Sequence, residues 1–525
     1  MTAARVAMLG RGLTVDRVAL PALLLLAAVL RLPDLGTRGT WDADQGHDML
    51  VLRTLVREGA IPLLGPPTSI GDVHHGAWYY YLLSPAAALT GGDSPLAVVG
   101  VIALAGIAAV AVVWWLARAV GGPVAGLAAG LVMATSAAAI DESTFIWNPN
   151  LIALSSAVAL AAAWKAWSGG DGRWWVVSAV GTAVTMQCHV LGVALLPITA
   201  APFLLDARRR SLGTEMAAIA FIFAVAYAPL VINEITTGFS EARAAAEYLS
   251  AGRSAAEVAI PIRFGIVLLR VLGWPLAGLI ADGFAAAAVA SIGVIAVVVW
   301  RWRSTDERER FVVRWFGLGL LWSVVFLTVA APSLASVVRG LPNDHYHAFA
   351  DPLVFVLLGL GVAALVRRVR APLGWVAAGL AVVAIVAWNV TRLPPPVHAD
   401  GGFPAGDAAA QRVDAALVSA GIERGQVTLI SSLPDFKSTE ALAYPLARLG
   451  RAVMAETPDG FAPGTTGDEE PVAVILLCDQ LFRDAIGADC GGPAERGILS
   501  DQGQLIDRFE AAPGRWVSTY TAGPG

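Results

Sequence analysis

Three aspartates and a histidine crowded into eight residues are the groups in this 525-residue sequence best suited to moving a proton: Trp41-Asp42-Ala43-Asp44-Gln45-Gly46-His47-Asp48. A carboxylate placed there can activate a hydroxyl as general base. Asp44 is the first candidate, with Asp42 and Asp48 behind it. If a helix begins near Asp44, His47 and Asp48 share one of its faces. Asp42 or Asp44 also suits a helix N-cap, where a carboxylate accepts backbone N–H groups. Capping explains one acid and leaves two acids and His47 for chemistry.

A second cluster runs from Ser69 to Tyr81 and holds His74-His75-Gly76 followed by Trp78-Tyr79-Tyr80-Tyr81. It reads as an interfacial hairpin. Paired imidazoles neutralise a phosphate, bind a metal or carry a proton. Tyr79 to Tyr81 read as an aromatic belt at a membrane interface, with Tyr80 also a candidate for lining the site. Two more polar pieces are Asp141-Glu142 through Trp147-Asn148-Pro149-Asn150, and Arg339 through His345-Tyr346-His347 to Asp351-Pro352. Pro149 fits the first turn of a helix. Arg263 and Arg270 are seven apart, on one face of an interfacial helix, and snorkelling to lipid headgroups is the default reading of each alone.

The elements that must position these groups belong to a membrane protein. Hydrophobic residues make up 56% of the chain, there are 54 glycines and only 15% charged residues, and the mean hydropathy is +0.65. No soluble enzyme of this length hides so much apolar surface. Apolar runs long enough to cross the hydrocarbon begin near Val18, Leu96, Gly121, Leu151, Trp174, Leu191, Met216, Leu279, Phe311, Pro352 and Leu373, giving about eleven transmembrane helices. Arginine-rich short loops alternate with long loops, which places the N-terminus in the cytoplasm and residues 35–94, 234–278, 332–351 and everything after Arg392 outside. All seven histidines fall on the outer face or at outer span ends, and ionisable groups there mark function by default.

Two domains are expected: a transmembrane domain, 1–396, with its catalytic first outer loop at 35–94, and a small extracytoplasmic α/β domain, 397–525. Pro394-Pro395-Pro396 marks the junction. Strands are predicted at 427–431, 472–477 and 516–521, and helices at 408–420 and 439–449. Before residue 396 there are 27 basic and 23 acidic residues, after it 9 and 18, so the tail is acidic. An exported tail permits disulfides, and Cys478 and Cys490 are expected to pair. Nothing matches a Walker loop, a dinucleotide fingerprint or a nucleic-acid surface.

Taken together the motifs resemble the GT-C glycosyltransferases of the protein O-mannosyltransferase and lipid A aminoarabinose transferase type, over most of the membrane region. The carriers are Arg31-Leu32-Pro33, Asp44 in the first outer loop, His74-His75-Gly76 to Tyr81, Trp147-Asn148-Pro149-Asn150, and His345-Tyr346 before Pro352. The resemblance implies transfer of a sugar, hexosyl or pentosyl, from a polyprenyl-phosphate donor to a glycan, lipid or protein acceptor at the outer face of a bacterial plasma membrane. It implies inversion, with Asp44 as base. The family's first-loop motif is Asp-Glu, and this chain has Asp44-Gln45. A lysine common at the hairpin is replaced by His74 or His75, and a later acidic position by Asn148 or Asn150.

Donor phosphate contacts are expected from His74, His75, Arg270, Arg339, His345 and Tyr346, with His47, Tyr80, Asn148 and Asn150 lining the site. The residues call for no particular cofactor. Asp42-Ala43-Asp44 is similar to the Asp-x-Asp metal motif of nucleotide-sugar enzymes, so a divalent metal is left open. An outer-face polysaccharide polymerase or ligase is the first alternative, and a lipid-linked sugar transporter the second. A transporter predicts charges and broken helices at mid-membrane, whereas these polar groups gather at the rim.

Overall fold

The computed structural model describes residues 3–68, 73–208, 211–250, 258–278, 280–335, 346–434, 439–457, 460–465, 470–480, 483–500 and 502–523. The chain opens with α1 (Ala3–Arg31), α2 (Leu35–Arg38) and α3 (Ala43–Glu58), then a two-stranded antiparallel hairpin, β1 (Leu64–Pro67) with β2 (His74–Gly76), and α4 (Trp78–Ala88). The helical body follows: α5 (Pro95–Gly121), α6 (Pro123–Thr135), α7 (Ala137–Asp141), α8 (Ile152–Gly169), α9 (Arg173–Cys188), α10 (Leu195–Leu205), α11 (Gly213–Thr237) and α12 (Ser240–Ser250). It ends with α13 (Ile260–Ala277), α14 (Ile280–Arg301), α15 (Glu307–Ala330), α16 (Asp351–Arg368) and α17 (Leu373–Val390).

Among the described residues, eight helices are long and apolar enough to cross a membrane. α13 is one of them. Near its start Arg263 donates to the Thr328 carbonyl at 3.2 Å, and at its end the Ala277 carbonyl accepts from Trp388 at 2.9 Å. Thr328 and Trp388 lie in the last turns of α15 and α17. These two bonds tie α13 to the C-terminal turns of α15 and α17. Arg263 and Arg270 do not snorkel: both are buried between helices.

Arg31, the last residue of α1, is fully buried and donates to the Ala134 carbonyl at 2.9 Å, the Met133 carbonyl at 3.2 Å and Ser143 Oγ at 3.1 Å. One guanidinium thus satisfies orphan carbonyls at the end of α6 and anchors the turn that carries Asp141 and Glu142.

After α17 come α18 (Gly402–Ser419), β3 (Thr428–Leu433), α19 (Thr439–Arg448), β4 (Val453–Thr457), β5 (Gly460–Phe461), β6 (Ala473–Asp479), β7 (Leu505–Ala512) and β8 (Arg515–Thr521). The six strands form one sheet in the order β5-β4-β3-β6-β8-β7, parallel across β4-β3-β6 and antiparallel at both flanks. Every residue of β6 is buried, as a continuously apolar central strand requires. Cys478, on β6, forms a disulfide with Cys490.

The C-terminal region packs directly on the first loop. A Cβ at Gly46 of α3 would lie 2.1 Å from the Glu440 carbonyl oxygen of α19, so only glycine permits the approach. Trp41 is buried against Phe403 and Tyr444 at 4.7 and 5.7 Å between ring centroids, and donates its Nε1–H to the Ala441 carbonyl at 2.8 Å.

Candidate active site at the start of α3

The three aspartates occupy three different environments. Asp42 is the N-cap residue of α3, with extended backbone dihedrals, and its carboxylate lies 3.3 Å from Arg515 of β8. Asp44, in the first turn, is exposed. Asp48 is 1% exposed and accepts hydrogen bonds from the Tyr79 and Tyr80 hydroxyls at 2.6 and 2.9 Å. Burial raises the Asp48 pKa to about 7, against the downward pull of the two phenols and His47.

Gln45, where the resemblance implies Glu, has a structural role in this chain. Its Oε1 accepts from the Asp42 backbone N–H at 2.9 Å, while its Nε2 donates to the Ile146 carbonyl at 2.8 Å. The first bond is the reciprocal half of a capping box. The second needs a donor, which a carboxylate lacks.

His47 faces Glu440 of α19, Nδ1 to Oε1, at 3.5 Å. Burial lowers its pKa, but Glu440, Asp48 and Asp44 together outweigh burial and raise it. Tyr79 and Tyr80 are not an interfacial belt. Both are essentially fully buried beneath α3, and Tyr81 donates to the Pro62 carbonyl at 2.5 Å. The Asp48 carboxylate needed donors once buried, and α4 supplies them.

The hairpin brings the paired histidines to the end of α9. His74 is held by Glu241 of α12, which accepts its backbone N–H at 2.7 Å and lies 2.9 Å from Nδ1. His75 is buried, its Nδ1 accepts from the Val190 backbone N–H at 3.2 Å, and burial, with His74 beside it, lowers its pKa to about 3. A neutral imidazole whose Nδ1 accepts carries its proton on Nε2. His75 is therefore a neutral donor at physiological pH rather than the protonated group the sequence suggests.

His75 begins an aromatic file. Its ring lies 4.4 Å from that of His189, which stacks on Tyr346 at 4.4 Å, and Trp147 lies 5.9 Å beyond. Asn148 and Asn150 are buried and brace backbone, donating to the Cys188 and Phe145 carbonyls at 2.6 and 2.7 Å. Arg270 is buried beside the Trp274 ring. Trp274 donates its Nε1–H to Glu142 at 2.6 Å and meets the His347 ring edge-on at 5.2 Å. Burial, with Asp351 nearby, keeps the Glu142 pKa well above the usual carboxylate range. Arg339 and His345 lie outside the described residues.

The structure thus joins Asp42, Asp44, His47, Asp48 and Tyr80 at the start of α3, and His75 with Tyr346 in the aromatic file. Sequence reasoning missed Glu241, Glu440, Arg515 and the bridging role of His189. Among the described residues, Cys478, Cys490 and Glu495 converge as a three-ligand group, with both sulfurs committed to the disulfide. At the start of α3 a cation would compete with Arg515 for Asp42 and with Glu440 for His47.

The fold is shared with the solved structures of ArnT and AglB, the resemblance that the sequence motifs suggested, and the apolar helices mark a multi-pass membrane protein. Residues 74–232 match the model of the dolichyl-phosphate-mannose-protein mannosyltransferase family. The whole chain superimposes on ArnT from Cupriavidus metallidurans in the apo state with a TM-score of 0.53 at 15% identity, covering 100% of both chains. The same protein bound to undecaprenyl phosphate gives 0.52 at 15% identity, over 97% of this chain and 99% of that one. The archaeal oligosaccharyltransferase AglB from Archaeoglobus fulgidus, in complex with an inhibitory peptide and a dolichol-phosphate, gives 0.54 at 14% identity, over 95% of this chain and 73% of that one. No curated protein matches by sequence.

Proposed function

We propose that the chain transfers a sugar from a polyprenyl-phosphate donor to an acceptor on the outer face of a bacterial plasma membrane, with inversion and with Asp44 as general base. The observation that carries this reading is the division of labour among three neighbouring aspartates. Asp42 is ion-paired, Asp48 is buried under two phenols, and Asp44 is exposed at the helix start. As the acceptor oxygen attacks the anomeric carbon its proton passes to Asp44, the bond from that carbon to the phosphate oxygen breaks, and polyprenyl phosphate leaves with the electron pair.

The leaving phosphate gains charge that preorganised donors stabilise. His75 offers Nε2–H without the cost of desolvating a cation, and Arg270 offers a buried guanidinium. His74, Arg339, His345 and Tyr346 complete the proposed phosphate set. His47, Tyr80, Asn148 and Asn150 shape its surroundings. The complexes of ArnT with undecaprenyl phosphate and of AglB with a dolichol-phosphate support a lipid-phosphate donor.

In this reading residues 1–396 form the transmembrane domain with catalytic loop 35–94, crossing eleven times from a cytoplasmic N-terminus, with α13 in the outer interface. Residues 397–525 form an outer domain whose α19 abuts α3. The test is donor consumption by purified protein beside Asp44→Asn. Loss of turnover with retained donor binding supports the assignment, and unchanged turnover removes Asp44 from it.

A further inference from the structure

We infer that the groove between α10 and α15 is a binding site for an anionic phospholipid, with its headgroup at the arginine-rich end of the bundle and an acyl chain along α15. The groove encloses about 670 Å³. Along its α15 wall Arg310, Arg314, Leu318 and Trp322 recur at intervals of four, so they form one row of the helix surface. The row is about 18 Å long at 1.5 Å per residue. Its first two positions are cationic and its last two apolar, which is the profile of one lipid leaflet: a phosphate, then hydrocarbon. The facing wall, α10, presents Ala201 and Leu205.

The arginine end lies opposite the aspartates. Phe311, one residue past Arg310, stacks on Trp167 at 3.7 Å in the last turns of α8, whereas the start of α8 follows Asn148 and Asn150. Each guanidinium is anchored by one edge to the loop before α15. Arg310 donates to the Ser304 carbonyl at 2.9 Å, and Arg314 to the Trp302 carbonyl at 3.1 Å. Glu307, 3.6 Å from Arg310, also lines the mouth. Two cations and one acid leave a net charge of +1, matching a headgroup with a single phosphate charge.

This charge decides between two occupants. The tail of a donor whose phosphate sits near His75 would bring only hydrocarbon to the mouth, and guanidinium groups held against hydrocarbon are costly. A phospholipid with its own phosphate at that surface fits both halves of the groove, and its attraction to basic side chains is of the kind that holds anionic lipids to membrane proteins.

The experiment is native mass spectrometry of the purified full-length chain titrated with phosphatidylglycerol, phosphatidylcholine or undecaprenyl phosphate. The wild type should retain phosphatidylglycerol in preference to phosphatidylcholine. Arg310→Gln/Arg314→Gln should weaken that retention about thirtyfold, from the loss of two lipid-facing charges. Ala201→Phe, which fills the groove without changing charge, should lower occupancy too, with elution profiles of both variants matching the wild type. Equal retention in the double variant, equal binding of phosphatidylcholine, or displacement of phosphatidylglycerol by undecaprenyl phosphate would each overturn the assignment.

Discussion

Gly46→Ala is the substitution whose outcome the structure determines most sharply. In the interior of a helix, Ala is normally favoured over Gly by about 1 kcal/mol. At position 46 the added carbon would stand 2.1 Å from the Glu440 oxygen, 2.3 Å from its carbonyl carbon and 2.7 Å from the Ala441 nitrogen. These are backbone atoms that no rotamer change can move away. Restoring an ordinary 3.4 Å contact requires α19 to retreat by 3.4 − 2.1 = 1.3 Å. That retreat stretches the Trp41–Ala441 hydrogen bond, now 2.8 Å, and the His47–Glu440 pair, now 3.5 Å. Overpacking of this kind costs about 1 to 3 kcal/mol, and loss of the Trp41 bond adds about 1 kcal/mol. Where α3 rather than α19 takes up the displacement, Asp44, two residues away on the same turn, moves with it, and a shift of about 1 Å lowers sugar transfer about a hundredfold. Gly36→Ala is the control: nothing lies within 4 Å of that site on α2, so it should be neutral or slightly stabilising. Thermal midpoints by intrinsic fluorescence and turnover of a polyprenyl-phosphate sugar would be measured on both. A Gly46→Ala protein as stable and active as Gly36→Ala would refute the claim that α19 is seated on α3 through this glycine.

Three further outcomes are expected. Asp48 keeps its proton to about pH 7 when folded and to about 3.8 otherwise, so stability falls as pH rises between those values, by on the order of 4 kcal/mol. His47, with its raised pKa, adds to the fall at the upper end, and Asp48→Asn should remove the Asp48 share of it when melting is followed from pH 4 to 8. His75 is already neutral over pH 5 to 8, so His75→Phe should weaken donor binding about tenfold by the same factor at both limits; a loss confined to pH 5 would restore a charged imidazole. Cys478→Ser/Cys490→Ser should destabilise the C-terminal sheet by about 3 kcal/mol, seen as earlier proteolysis of that region under non-reducing conditions.

What the sequence reveals and what it hides follows from the range of the interactions. The capping role of Asp42 is set within one helical turn, whereas His47 and Asp48, adjacent in the chain, turn to different partners on α19 and α4. Tyr79 and Tyr80 mislead because a Trp-Tyr cluster beside an apolar run has the composition of an interface belt. What buries them is Asp48, 31 and 32 positions earlier. Glu440 and Arg515 are farther still, the Arg515 bond to the Trp41 carbonyl bridging 474 positions, and no local pattern announces such a partner. The protonation of His75 was legible least of all, since burial decides it. Glycine 46 carries no sign in the sequence of the backbone that approaches it.

The most direct measurement is donor consumption by the purified full-length protein, across a panel of polyprenyl-phosphate sugars, for wild type, Asp44→Asn and Asp42→Asn. The account predicts that Asp44→Asn loses activity by about 10² to 10⁴-fold while still binding donor, and that Asp42→Asn, which loses an ion pair with Arg515, falls far less. Full activity in Asp44→Asn, or a deeper loss in Asp42→Asn with its fold intact, would contradict it.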